Sequence, residues 1–335
     1  MTTDSRDCSR MPYGLWESPL DPRQLYDLPG EPAYPFQMGE DVFWVQSLPE
    51  EGGRLVLMRQ RRGGQDCLTP GSFNLRTRVH EYGGRCFCVH GDNLVFNNYG
   101  DGRLYIQSIA DGDEDAVPRA LTCEQPGIIG FADLSTLNGH IVAVVEKTRP
   151  DQENENLLVA VSLDREESEP ISLVSGSDFY ASPVVDPEGR WLAWLEWSHP
   201  EMPWDCSRLM RARVNRSQGL SLDAPEIVVK AGETTVSQPG FLDDGSLVFA
   251  MDSPLADWSN LYRWTDGNLI QLTREAGEFG EAHWVFGQRR WAQVNEDKLV
   301  AICTGSSGDR LLSVDLNGDL AAEPLMRAAE LSQLS

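Results

Sequence analysis

A unit of about fifty residues recurs six times along this chain, and that period limits what it can fold into. Each unit is marked by a turn residue followed by a short apolar run. The runs are Gly39 then EDVFWVQ, Gly91 then DNLVFNN, Gly139 then HIVAVVE, Gly189 then RWLAWLEW, Gly245 then SLVFAMD, and Glu296 then DKLVAIC. A second apolar run follows each of these: RLVLMRQ, RLYIQSI, NLLVAVSL, RLMRARV, NLYRWTD and RLLSVDL. Shorter runs such as DCLTP, PISLVSG and LIQLTRE come after, and others such as PAYPFQM, FADLSTL and RRWAQV come before. Asp-Gly and Asn-Gly pairs punctuate them and supply the positive φ that tight hairpins need. Four short strands per unit at a fixed period predict an all-β chain, a β-propeller of four-stranded blades with six blades recognisable. The boundaries read as an N-terminal extension over residues 1–30, the propeller over 31–325 and a C-terminal stub over 326–335.

A propeller fixes where functional residues gather. The first strand of each blade lines the axis. The loops between the second and third strands, and from the fourth strand into the next blade, share one face. In this chain the long, aromatic segments are of that kind: SFNLRTRVHEYGG, SGSDFYASP, WSHPEMPWDCS, SPLADWSN and REAGEFGEAHW. Rigid scaffolds carry function on such loops. The candidate site residues are therefore Arg76, Arg78, His80, Glu81, Tyr82, Asp178, Tyr180, His199, Met202, Trp204, Glu278 and Glu281. Arg76 or Arg78 is expected to pair with Glu81 and fix the loop, with Tyr82 packed beside the channel. Gly83 and Gly84 read as the bend that lets the chain reach the crowded axis. The carboxylates suit a cation or a peptide amine, or they are solvated surface in a chain with 52 acidic residues.

Composition removes several classes of function. The 335 residues carry a net charge of −24, which repels phosphate backbones and anionic membrane surfaces, so neither nucleic acid nor membrane is expected as a partner. No apolar run reaches spanning length. The first residues, MTTDSRDCSRMPYGLW, lack the apolar core of a signal peptide. The seven cysteines are scattered without a C-x-x-C, and Cys86 and Cys88 read as a buried reduced pair, which fits a cytoplasmic protein. No G-x-S-x-G, phosphate-binding loop or dinucleotide fingerprint occurs. His80, His90, His140, His199 and His283 show no metal-ligand spacing, and neither metal nor cofactor is expected.

Four stretches carry a family likeness. YGLWESPL (residues 13–20), RTRVHEYGG (76–84), GSDFYASPVVDPEGRWLAWLEW (176–197) and HPEMPWD (199–205) resemble the N-terminal propeller of the prolyl oligopeptidase family of serine peptidases. The bacterial branch of dipeptidyl and acylaminoacyl peptidases is the most similar. The resemblance implies a propeller that caps an α/β-hydrolase domain and restricts access to short peptides. The catalytic triad of that domain maps onto no residue here. Family propellers commonly have seven blades, so LMRAAELSQLS (325–335) reads as the stump of a seventh.

Three functional readings follow. The chain is the non-catalytic propeller portion of such a peptidase, gating or binding peptides at the channel mouth and docking a hydrolase domain in cis or in trans. Alternatively it is a free-standing propeller that binds peptides or proteins on the same face, or a metal-dependent, lactonase-like channel hydrolase. On the first two readings the 335-residue chain has no serine nucleophile with a base to activate it. Treatment with a fluorophosphonate is then expected to leave the intact mass unchanged. One stoichiometrically labelled serine would reverse that expectation.

Overall fold

The computed structural model describes residues 30, 32–110, 112–113, 116–230, 232, 234–253, 256–317 and 322–328. All but the last residue of the expected extension, and residues 329–335 of the expected stub, lie outside them. The chain is all-β and forms six antiparallel sheets of four principal strands. Blade 1 holds β1 (Ala33–Met38), β2 (Asp41–Leu48), β3 (Arg54–Arg61) and β4 (Gly64–Cys67). Blade 2 holds β5 (Phe87–His90), β6 (Asn93–Asn97), β7 (Leu104–Ser108) and β8 (Arg119–Ala120). Blade 3 holds β9 (Ile128–Leu137), β10 (His140–Lys147), β11 (Glu155–Ser162) and β12 (Ile171–Val174). In blade 4, β13 (Phe179–Val185), β14 (Trp191–Trp197) and β15 (Arg208–Asn215) are followed by β16 (Ser221–Leu222), which pairs only with the end of β15, and by the outer strand β17 (Glu226–Val229). Blade 5 holds β18 (Val236–Phe241), β19 (Leu247–Ser253), β20 (Ala256–Thr265) and β21 (Asn268–Gln271). Blade 6 holds β22 (Trp291–Gln293), β23 (Lys298–Gly305), β24 (Gly308–Asp315) and β25 (Glu323–Ala328). Among the described residues the sole helical element is the turn Pro49–Glu51, and no helix is long and apolar enough to cross a membrane.

The continuous apolar runs have a direct cause. A blade's middle strands are covered on both faces by neighbouring blades, so they need no polar side. In β10 the six residues between His140 and Lys147 are all buried, and in β14 every residue after Trp191 is. Outer strands are exposed and carry weak patterns, which is why β25 escapes recognition in the sequence. Residues 325–328, expected to begin a stump, continue the outer strand of blade 6. Similarly, residues 256–260 of the SPLADWSN segment belong to β20 and are not a loop. The hairpins form as their residues dictate: Asn138–Gly139 and Asp266–Gly267 both have positive φ at each position.

The blades are cemented by apolar clusters between sheets. One lies between blades 1 and 2, one between 2 and 3, one across 3, 4 and 5, and one between 5 and 6. Trp194 and Trp291 are fully buried in the last two. Among the described residues no such cluster joins blade 6 to blade 1, and Val42 of β2 stays 42% exposed. Those two blades meet at the axis, where the Tyr34 hydroxyl donates to the Phe286 carbonyl at 3.3 Å.

The innermost strands share one irregularity. β1, β9, β13 and β18 each slip register against the next strand, and at the slip sits a non-glycine residue in the left-handed region: Tyr34, Asp133, Ser182 and Gln238. Such bulges re-aim side chains, here into the crowded centre. The re-aimed residues bind neighbouring blades. The Asp133 carboxylate accepts the Ser182 N–H at 2.6 Å, and the Asp133 N–H donates to the Arg85 carbonyl at 2.8 Å. The Gln238 amide accepts Arg290 N–H at 2.5 Å and donates to the Phe279 carbonyl at 2.6 Å. Blades 2 and 6 lack the bulge and instead meet directly, as a parallel bridge between Gly84 and Phe286. Gly84 has φ +128°, and a Cβ there would lie 2.3 Å from the Phe286 nitrogen. Gly84→Ala is expected to cost at least about 2 kcal/mol, from strain plus loss of the bridge, read as a lowered midpoint in urea unfolding. An unchanged midpoint would show that the bridge does not hold the ring.

Candidate functional site

The loop 76–84 leaves blade 1 and enters the axis ahead of β5. Thr77 and Val79 anchor it in the core, and Asn97 ties it down by donating to the Arg76 carbonyl at 2.7 Å. The chain then reverses through His80 (φ 54°) and Glu81 (φ 64°), two consecutive left-handed non-glycine residues. Buried Glu146 of β10 offsets part of that strain. One of its oxygens accepts the His80 N–H at 2.7 Å, and the other accepts the Asn154 side chain at 2.7 Å. The reversal sends the His80 ring inward and leaves Glu81 and Tyr82 exposed on the face.

His80 is enclosed by rings. Phe179, Trp197 and Phe286 stand 5.1, 5.7 and 4.8 Å from it, and Phe179 stacks on Trp197 at 5.4 Å. A second group lies beside this one: Trp284 packs on Trp204 at 4.4 Å and on Tyr82 at 5.6 Å. Together they wall a cavity of about 320 Å³ at the centre of the face. Its rim carries the carboxylates Glu81, Glu153 and Asp178, with His199 and Met202 on the blade 4 side. Tyr82 is 66% and Trp284 51% exposed, an apolar patch in an otherwise acidic surface. Beneath the cavity the void narrows to about 20 Å³ between His80, Trp197, His283 and Phe286, room for roughly one water.

The sequence-selected residues divide on this map. His80, Glu81, Tyr82, Asp178, His199, Met202 and Trp204 line the one cavity. Trp204, Glu278 and Glu281 line a neighbouring cleft of about 520 Å³. Within that cleft Glu278 accepts the Ser259 N–H at 2.9 Å, and Glu281 pairs with buried Arg290. Asp178 accepts the His199 N–H at 3.0 Å and so holds the 199–205 loop. The expected pairing of Arg76 or Arg78 with Glu81 does not form among the described residues. Arg76 turns away to lie over the Tyr99 ring at 5.1 Å, Arg78 points to solvent, and Glu81 faces the cavity. Tyr180 is also displaced: strand alternation puts Phe179 at the mouth and buries Tyr180 between blades, its hydroxyl accepting the Ser177 N–H at 2.8 Å. Glu146, Phe179, Trp197, His283 and Trp284 are cavity residues that the loop reading passed over. Three of them are visible as the first residue of β13, the last of β14 and a tryptophan in REAGEFGEAHW. Among the described residues no three His, Cys, Asp or Glu side chains gather to hold a metal ion, so a channel metal enzyme draws no support from this geometry.

No protein-family profile and no curated protein matches the chain. Solved structures do. A puromycin-hydrolyzing peptidase of Mycobacterium tuberculosis superposes with a TM-score of 0.81 at 30% identity, over 94% of this chain and 49% of that one. A puromycin hydrolase superposes at 0.80 with 31% identity, over 93% and 49%. A puromycin hydrolase mutant complexed with PGG gives 0.83 and 29%, over 96% and 50%. Prolyl oligopeptidase B from Galerina marginata shares the fold alone, with a TM-score of 0.59 at 11% identity over 90% and 44%. The chain spans about half the length of the peptidases it matches. Fold and sequence likeness together define a peptidase-type propeller. The chain corresponds to the β-propeller part of these peptidases, the part that the likeness to the prolyl oligopeptidase family implies.

The enclosed histidines make the site's integrity depend on pH. Burial holds both His80 and His283 down to about 4, so they stay neutral while the unfolded chain takes up protons below its usual histidine value. The unfolded state then binds more protons between about pH 6.5 and 4, and stability falls as pH drops through that window. Asp133, pushed up to about 6 by burial, acts in the opposite sense, and comparison of variants cancels it. Relative to His80→Asn, chosen because Asn tolerates the left-handed backbone, the native protein is expected to lose on the order of 3 kcal/mol more between pH 6.5 and pH 4. Urea unfolding at both values measures this. An equal loss in the two proteins would mean that His80 is not held neutral.

Proposed function

We propose that this propeller is the gating and docking half of a prolyl oligopeptidase-like peptidase of the dipeptidyl or acylaminoacyl kind. It seats a short peptide at the aromatic and acidic mouth, and the same face docks an α/β-hydrolase domain, in cis or in trans. The observation that carries this reading is the 320 Å³ cavity, which sets tryptophan and tyrosine faces beside carboxylates, Glu81 and Glu153, that pair with no cation among the described residues. Such a surface suits an apolar residue with a positive charge next to it, as at the amino end of a peptide: the rings offer cation–π attraction and buried area, and Glu81 and Glu153 offer charge. The related structures support it through what they are described as acting on, puromycin, and through the PGG that one of them holds. The exposed Tyr82, Trp284 and Met202 are the kind of patch a docked domain covers. The six described cysteines are all free, which suits a reducing cytoplasmic setting.

Calorimetry on the 335-residue chain tests the seat. A tripeptide with a free amino terminus is expected to bind at one site. Acetylating that terminus, Glu81→Gln and Trp284→Ala are each expected to weaken it, with Trp284→Ala costing about tenfold or more. Equal affinities across these four measurements would remove the cavity as a peptide site.

A further inference from the structure

The far end of the wheel holds a second, chemically opposite cavity. It measures about 250 Å³ and is lined by the distal parts of the innermost strands: Val89 of β5, Thr136 of β9, Val184 of β13 and Pro239 of β18. Phe179, which borders the peptide cavity, begins the same β13 whose later residues line this one. In a chain of net charge −24, this cavity is built around two arginines, Arg85 and Arg289.

Both arginines are held the same way. Each lies just ahead of the innermost strand of its blade, two residues before the aromatic that begins it. Arg85 Nε donates to the Phe87 carbonyl at 3.3 Å, with the guanidinium 5.5 Å from the Phe87 ring. Arg289 Nε donates to the Trp291 carbonyl at 3.1 Å, with the guanidinium 4.2 Å from the Trp291 ring. This clamp uses one nitrogen of each fork and orients the rest. Among the described residues neither guanidinium forms an ion pair. Space is reserved for both: a Cβ on Gly240 would lie 2.8 Å from Arg289 Nη2, and one on Gly287 would lie 2.3 Å from the Arg85 Cβ. The cavity's one carboxylate, Asp133, accepts the Ser182 N–H through one oxygen and feels the Arg85 charge, without forming an ion pair with it. Two cations against one carboxylate leave a net positive charge, with the hydroxyls of Ser135, Thr136 and Ser182 around it. Burial, with the nearby Arg85 charge second, pushes Arg289 down to about 10, and an anion beside it would offset both effects.

We propose that this cavity is an oxyanion site in which Arg85 and Arg289 clamp a single carboxylate or phosphate group. A guanidinium fork matches the planar, two-oxygen geometry of a carboxylate and the tetrahedral edge of a phosphate. The volume suits inorganic phosphate or the carboxyl end of a short peptide. The site lies on the opposite side of the aromatic constriction from the peptide cavity and does not depend on that reading.

Calorimetry with the 335-residue chain distinguishes the sources. The probes are inorganic phosphate, a tripeptide with a free carboxyl end and an acetylated amino end, and the same acetylated peptide as its carboxamide. Saturable one-site binding of phosphate or of the free acid, but not the amide, is expected. Arg85→Gln and Arg289→Gln are each expected to weaken it at least tenfold, while Arg62→Gln, an equal loss of charge on exposed blade 1, leaves it unchanged. In the unmutated protein the same anion is expected to protect Arg85 and Arg289 from phenylglyoxal, read by peptide mass mapping, a measurement that does not depend on the variants folding. Phosphate saturation identifies a phosphate site, and saturation by the free acid a carboxylate site. Absence of saturation by both, binding that persists in both variants, or lack of protection would overturn the proposal.

Discussion

The ring of inter-blade hydrogen bonds around the axis is the contact on which the rest of the molecule depends. Each blade presents its innermost strand edge to a centre too narrow for continuous pairing, so the groups exposed there must find partners in other blades. The chain solves this with left-handed residues at Tyr34, Asp133, Ser182 and Gln238, each of which costs on the order of 1–3 kcal/mol of backbone strain. The side chains and amides that these bulges re-aim then bridge blade to blade. At blades 2 and 6, where no bulge occurs, the main chains of Gly84 and Phe286 pair instead. The apolar clusters between sheets supply most of the burial, but the axial ring sets the angular position of every blade and so of every loop on the mouth.

Both cavities are products of that ring. Phe286, whose backbone closes it, also places its ring against His80. Asp133, whose carboxylate bridges blades 3 and 4, also lines the arginine cavity. The loop 76–84 gains its shape from the same source: Gly84 is pinned by the bridge, and Glu146 holds the strained turn that precedes it. The charged segment is thus part of the scaffold, with Glu81 and Tyr82 on the cavity side and Arg78 turned to solvent.

Much of the fold was legible in the sequence because the repeat is written in its apolar runs. Strands such as HIVAVVE are buried on both faces, so their hydrophobicity survives without a partner to explain it. The outer strand at residues 323–328 and the short β16 were not legible, since an exposed edge asks little of its residues. For the site, loop position was enough to select His80, Glu81, Tyr82, His199 and Trp204. Register was needed for the rest: one step of alternation separates Phe179, at the mouth, from Tyr180, in the core. The Arg76 or Arg78 pairing with Glu81 does not form where the left-handed pair His80–Glu81 reverses the chain, and a left-handed histidine has no signature in sequence. The arginine pair was hidden for another reason, as its members lie about two hundred residues apart and converge only when blades 2 and 6 meet.

The narrowing to about 20 Å³ beneath His80 changes what kind of object the wheel is. It is two cups set base to base, not a tube, with one layer of aromatic side chains as their common floor. On the proposed peptide reading, a chain end lowered into the acidic cup would stop at that floor, so the cup's depth would act as a ruler for the ligand and not as a sieve. The basic cup lies behind it, lined by the later residues of the same innermost strands, so the two proposed sites are separate places on one wheel.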